Sequence, residues 1–337
     1  MSHRIAGGQP MGSYGLPVSP TCTKTRMHVS LGQLESGLKG IVRGWHPALV
    51  RSFERYASSK GRLSHRVKIV RASEDPYWLL VPQWVVARYP GRRGTDQRFL
   101  RDVLCGQFCA FLALKIHDDL FDGHIRDRSL IFTPDYLLLS ARKTFTPYFS
   151  TNSPFWSFFD SALRRTLHAI IETDYSQLHG YGTPSSVAAL AREGFAACNI
   201  AAYAVCLRLN RVNLFRKLAR CTDELAFVGQ LLDDLEDLQE DFQRGRVNYA
   251  AWFLLGRSVN RRRNIMQQVA REIIVNGSAA RFFTMLQKHL QRAGEMADSI
   301  GIPELEDYVG RYRKALEASE TSLHRERVRM VFGIAAH

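Results

Sequence analysis

Two short stretches concentrate acid in a basic chain. The segment "IHDDLFD" (116–122) puts Asp118, Asp119 and Asp122 within five positions, one residue beyond the apolar run "CGQFCAFLAL" (105–114). The segment "GQLLDDLEDLQED" (229–241) is denser still. Six of the nine residues 233–241 are acidic, although the whole protein has a formal net charge of +14. At helical spacing Asp118 and Asp122 share one face. Asp233, Asp237 and Asp241 form a row at i, i+4 and i+8, beside an apolar stripe of Leu231, Leu235, Leu238 and Phe242.

Like charges at such spacing destabilise a bare helix, and aspartate is a poorer helix former than glutamate. Each cluster alone reads either as a solvated surface or as a place for cations. The first lies on a helix that is apolar nearly all round and so should be buried, where a carboxylate without a partner is costly. If the fold sets the two clusters face to face, they make two carboxylate walls. Such walls suit hard divalent cations, Mg²⁺ above all, and through them a diphosphate. The basic residues after each cluster, Arg126 and Arg128, then Arg244 and Arg246, fit as phosphate clamps.

The chain that must position these residues has 337 amino acids, 45% of them hydrophobic, enough for a sizeable core. Residues 1–30 are rich in Gly, Pro and Ser and read as a flexible leader; 31–337 read as one all-α domain, a multi-helix bundle. Apolar spacings of three and four predict helices over 99–121, 154–178, 186–209, 212–242, 246–256, 261–275, 279–299 and 303–330. "RVKIVRA" (66–72) is the best strand candidate. The six cysteines are irregularly spaced and read as reduced, small hydrophobes. No apolar run is long enough for a bilayer and no signal-peptide pattern opens the sequence, so the expectation is a cytoplasmic protein without membrane insertion. The basic balance calls for an anionic partner, but no nucleic-acid motif is present.

These residues carry a resemblance. "IHDDLFD" resembles the first DDxxD motif of class I isoprenoid synthases, in the form used by trans-polyprenyl diphosphate synthases. "GQLLDDLED" resembles their second motif, on Gln230, Asp233, Asp234 and Asp237; the same segment also matches the second metal motif of terpene synthases, on Asp233, Asp237 and Asp241. The two motifs begin 115 residues apart, at Asp118 and Asp233. The resemblance implies an all-α isoprenoid synthase bundle with a central cavity. It implies Asp118 and Asp122, with Asp119, as ligands of two Mg²⁺, and Asp233, Asp237 and Asp241 as ligands of a third, Mn²⁺ being the alternative metal. It makes Asp118, Asp122, Asp233 and Asp237 the catalytic carboxylates. Arg128, Gln230, Arg244 and Arg246 would bind substrate, as would Arg311 and Tyr312, an Arg-Tyr pair at the distance that terpene synthases show. Arg-Tyr occurs also at 55–56 and 88–89, which weakens the last assignment.

Departures from the pattern bear on the reaction. The Arg-Arg pair that follows the first motif in the family is interrupted here by Asp127. The segments that bind a second diphosphate in elongating enzymes have no match: the chain reads "GRRGTDQR" at 91–98 and "AREGFAACN" at 191–199. The expectation is therefore a terpene synthase that ionises one allylic prenyl diphosphate, C15 or longer. The alternative is a prenyltransferase, either elongating or joining two allylic diphosphates head to head. The partner is the prenyl diphosphate; a homodimer stays open.

Overall fold

In the computed structural model the described residues are 29–59, 76–90, 97–123, 127–179, 182–255, 272 and 277–332. Secondary structure among them is wholly helical. The strand candidate at 66–72, the helix expected over 261–275, Arg126 and nearly all of the leader lie outside the described residues.

The described residues contain thirteen α-helices: α1 Leu31–Val42, α2 Pro47–Ser59, α3 Tyr77–Arg88, α4 Gln97–Phe121, α5 Thr133–Phe145, α6 Pro154–His179, α7 Pro184–Glu193, α8 Ile200–Arg208, α9 Val212–Glu236, α10 Leu238–Gln243, α11 Tyr249–Leu255, α12 Ser278–Ile300 and α13 Pro303–Phe332. Two 3₁₀ turns, Arg128–Phe132 and Ala196–Asn199, join α4 to α5 and α7 to α8. Local chemistry sets several of these ends. Ser30 and Gln33 form a reciprocal capping box on α1, as Thr183 and Ser186 do on α7. Gly301, with φ of +67°, closes α12 in the left-handed conformation that glycine adopts without strain.

Two sequence-predicted helices prove to be broken. The span 186–209 divides at Gly194 into α7, a 3₁₀ turn and α8. The span 212–242 breaks at Asp237, whose φ and ψ of −88° and 0° leave the helical region. Apolar spacing continues across both breaks, so periodicity alone does not show them. The Asp237 nick is slight: Asp237 N–H still bonds Asp233 O at 3.0 Å, and Asp241 N–H bonds Asp237 O at 3.0 Å. The acidic row therefore keeps its direction.

The core runs through α3, α4, α8 and α9. α4 and α9 are each 25 residues long, and both pack against α8. α4 is buried nearly all round, as its composition predicts. It lies so close to α5 that a Cβ on Gly106 would stand 2.7 Å from the Phe145 ring. α9 is covered on another side by α12. The two acid-bearing helices thus pack on a shared middle helix.

Candidate active site

Both acidic clusters lie at the C-terminal ends of their long helices. α4 stops at Phe121, and Gly123 turns left-handed with φ of +70° just after the third aspartate. A helix C-terminus carries partial negative charge, so carboxylates in the last turn are doubly disfavoured and need positive partners. The structure supplies them. Lys115 Nζ lies 2.6 Å from Asp118 Oδ2 and 3.4 Å from Asp119 Oδ1. Tyr56 of α2 donates its hydroxyl to Asp119 Oδ2 at 2.9 Å. Asp119 is thus buried with both oxygens engaged, whereas Asp118 and Asp122 are half-buried. Arg246, just beyond α10, places Nη1 2.7 Å from Asp122 Oδ1 and Nη2 3.3 Å from Asp174 Oδ1 on α6.

The Arg246 contact joins the end of the first cluster to the segment that follows the second. The two clusters therefore face each other, which the sequence could only pose as a condition. The positive charge of Lys115 opposes the rise of the Asp233 pKa. Asp233 is pushed up to about 7, first by the protein that crowds it on most sides, although solvent reaches its carboxyl, and then by Asp237, Glu236 and Asp241. Burial and neighbouring carboxylates also raise Asp237. The carboxylates of Asp233 and Asp237 have no hydrogen-bond or ion-pair partner among the described residues. Asp237 lines an open cleft of about 510 Å³ with Glu236, Glu240, Gln243 and Arg244.

The other members of the second motif play a different part. Asp234 is buried and accepts from Gln230 Nε2 at 2.6 Å and from Tyr249 N–H at 2.8 Å. Asn248 Nδ2 donates to Asp234 O and Asp241 Oδ2, both at 2.7 Å, while its Oδ1 accepts from Ala251 N–H at 2.9 Å. Asn248 therefore caps α11 and fixes the last carboxylate of the row in one stroke. Gln230, expected to bind substrate, is engaged with Asp234 here.

The remaining basic candidates divide. Arg128 is exposed at the start of its 3₁₀ turn. Arg244 pairs with Glu240 at 2.6 Å on the surface. Arg311 lies over the Tyr308 ring at 5.3 Å, and Tyr312 is a core residue whose ring packs on Tyr308. A different Arg-Tyr pair, Arg55–Tyr56, reaches the first motif. Tyr56 holds Asp119, and Arg55 lies 2.8 Å from Asp127. Asp127 also accepts from Ser129 N–H at 3.0 Å, so the residue that interrupts the family's Arg pair caps the turn behind the motif. Hydrogen bonds from Ser129 and Arg55 lower its pKa to about 2. Lys115, Tyr56, Asn248 and Asp174 were not singled out from sequence. Lys115 alone left a signal there, as a single lysine in an apolar run one turn ahead of paired aspartates.

The donor set is made of carboxylate oxygens, the chemistry that hard divalent cations require. Among the described residues no three acidic, histidine or cysteine side chains converge as a ready cage. A divalent cation held by one or two of these carboxylates would complete its shell with water and other oxygen ligands.

An all-α bundle with acidic motifs at the ends of two facing long helices is the isoprenoid synthase architecture, and solved structures confirm the fold. The chain superposes on a geranylgeranyl pyrophosphate synthase from Corynebacterium glutamicum with a TM-score of 0.65 at 13% identity, covering 85% of this chain and 91% of that one. A heptaprenyl diphosphate synthase from Staphylococcus aureus matches with a TM-score of 0.62 at 12% identity, over 83% and 96% of the two chains. A geranylgeranyl pyrophosphate synthase from Lactobacillus brevis matches with a TM-score of 0.56 at 12% identity, over 85% and 95%. No model of a known protein family matches the sequence, and no curated protein is similar to it. No single described helix is long and apolar enough to cross a membrane.

Proposed function

We propose that this chain is a class I isoprenoid synthase that ionises an allylic prenyl diphosphate and transfers the prenyl group. The observation that carries this reading is the meeting of the two acidic helix ends, tied by Arg246 to Asp122 and Asp174. Divalent ions, when bound, supply positive charge that stabilises the departing diphosphate. Asp118 and Asp122 on one wall, and Asp233, Asp237 and Asp241 on the other, are the residues to hold them. Asp119 and Asp234 act behind these, each buried and hydrogen-bonded so as to orient its wall. Arg246 and Arg128 provide guanidinium groups for phosphate oxygens. The apolar α4 turns below the motif, with Ala110 and Leu114 buried, keep water from the reacting carbon. The superposed synthases support transfer over cyclisation.

A second reading, cyclisation or quenching of a single ionised substrate, also has an observation behind it. Arg192 stands in the segment where elongating enzymes carry a basic residue for a second diphosphate. Here it pairs with Glu224 at 3.2 Å, beside His289, on the side of α9 that α12 covers. Incubation of the protein with farnesyl or geranylgeranyl diphosphate, with and without isopentenyl diphosphate, tests both readings. A lengthened diphosphate supports transfer; a hydrocarbon or alcohol formed without isopentenyl diphosphate supports cyclisation.

A further inference from the structure

The first acidic wall already holds a cation of its own. Lys115 is the one Lys or Arg between Arg101 and Arg126, a stretch that is mostly apolar. Its side chain is 35% exposed, so most of it lies inside the protein. Burying a lysine head is costly unless it is paired, and this one meets Asp118 at 2.6 Å and Asp119 at 3.4 Å. Lysine is a compact point charge on a flexible stem with three rotatable donors, suited to exchanging a carboxylate partner for a phosphate oxygen.

We propose that Lys115 is a resident cation of the centre, standing between Asp118 and Asp119 in place of one divalent ion and offering its ammonium to the substrate diphosphate. This rests on the diphosphate reading above, and it has two consequences of opposite sign. Lys115 competes with divalent ions for Asp118, so its removal tightens their binding. It also attracts the diphosphate directly, so its removal weakens diphosphate binding when no metal is present. A lysine that merely braced the helix end would weaken both.

The test is calorimetric titration of the full chain and of Lys115→Met, with Lys115→Gln as a second variant and Lys115→Arg as the charge-preserving control. Mg²⁺ is titrated alone, and inorganic diphosphate is titrated in chelator. The expected results for the Met and Gln variants are Mg²⁺ half-saturation at about tenfold lower concentration and diphosphate affinity about tenfold weaker. The Arg variant should stay near wild type. Unchanged or weakened Mg²⁺ binding in folded Met and Gln variants overturns the proposal. If inorganic diphosphate binds neither wild type nor variants, the diphosphate reading fails by itself, and the Mg²⁺ arm still decides whether Lys115 replaces an ion.

Discussion

Arg246 and Asp122 lie 2.7 Å apart across 124 residues of sequence, and the same guanidinium reaches Asp174 at 3.3 Å. This contact turns two separate acidic helix ends into one site. All three side chains are largely buried, at 15%, 20% and 18% exposure. Removing the guanidinium takes a charged partner away from two largely buried carboxylates. Arg246→Ala should cost about 2–3 kcal/mol of stability by denaturant unfolding, and turnover should fall by at least about tenfold. A variant as stable as wild type would show that the clusters are not held together this way.

Tyr56 holds Asp119 of the first motif, and its neighbour Arg55 holds Asp127 just behind it. Tyr56→Phe keeps the ring and removes the hydrogen bond to the buried Asp119. A hydrogen bond to a charged group contributes about 1.5–3 kcal/mol, and part of that should appear as lost stability. Turnover should fall more in Tyr56→Phe than in Arg311→Ala. The reverse order in steady-state rates would make Arg311 the larger contributor.

Asn248 makes three hydrogen bonds that join α9, α10 and α11. Its replacement by Ala leaves a buried carbonyl, a carboxylate and an amide each short of a partner. The expected loss is about 2–4 kcal/mol, read as a lower urea midpoint. Asn248→Asp should be worse still, because it adds a negative charge beside Asp234 and Asp241.

Asp223 gives a pH signature away from the metal-facing residues. Burial raises its pKa from 3.8 to about 6, against the pull of Arg165 and Arg192. A carboxyl whose folded pKa exceeds its unfolded one binds more protons when folded. Stability therefore declines as pH rises from about 4 through about 6. Asp223→Asn should raise Tm at pH 7.5, by up to about 2 kcal/mol of stability after allowance for partial solvent contact, and the gain should vanish at pH 4. A gain that persists at pH 4 would place its cause elsewhere.

Much of this was legible in the residues. The continuous apolar face of the segment ending at Leu114 demanded a buried helix, and α4 spans Gln97–Phe121 where 99–121 was expected. The acidic rows left two readings open, a solvated surface or a place for cations, because aspartates at i and i+4 repel each other on a bare helix. The break at Asp237 was illegible, since apolar spacing runs straight across it. So were the partners of the aspartates. Tyr56 lies 63 residues from Asp119 and Arg246 lies 124 from Asp122, and only the fold brings them together. Spacing from a motif does not fix which side of a helix meets it, and the burial of Tyr312 in the core was likewise not legible.

Product analysis of wild type against Asp118→Ala and Asp233→Ala bears most directly on the central claim. Each protein is incubated with Mg²⁺ and labelled allylic diphosphates from C10 to C25, with isopentenyl diphosphate present, and released diphosphate and prenyl products are quantified. Metal-dependent diphosphate release and a lengthened prenyl diphosphate are expected from wild type, with at least about a hundredfold loss in each variant. Wild type that turns over none of these substrates, or folded variants that turn over as fast as wild type, would contradict the claim.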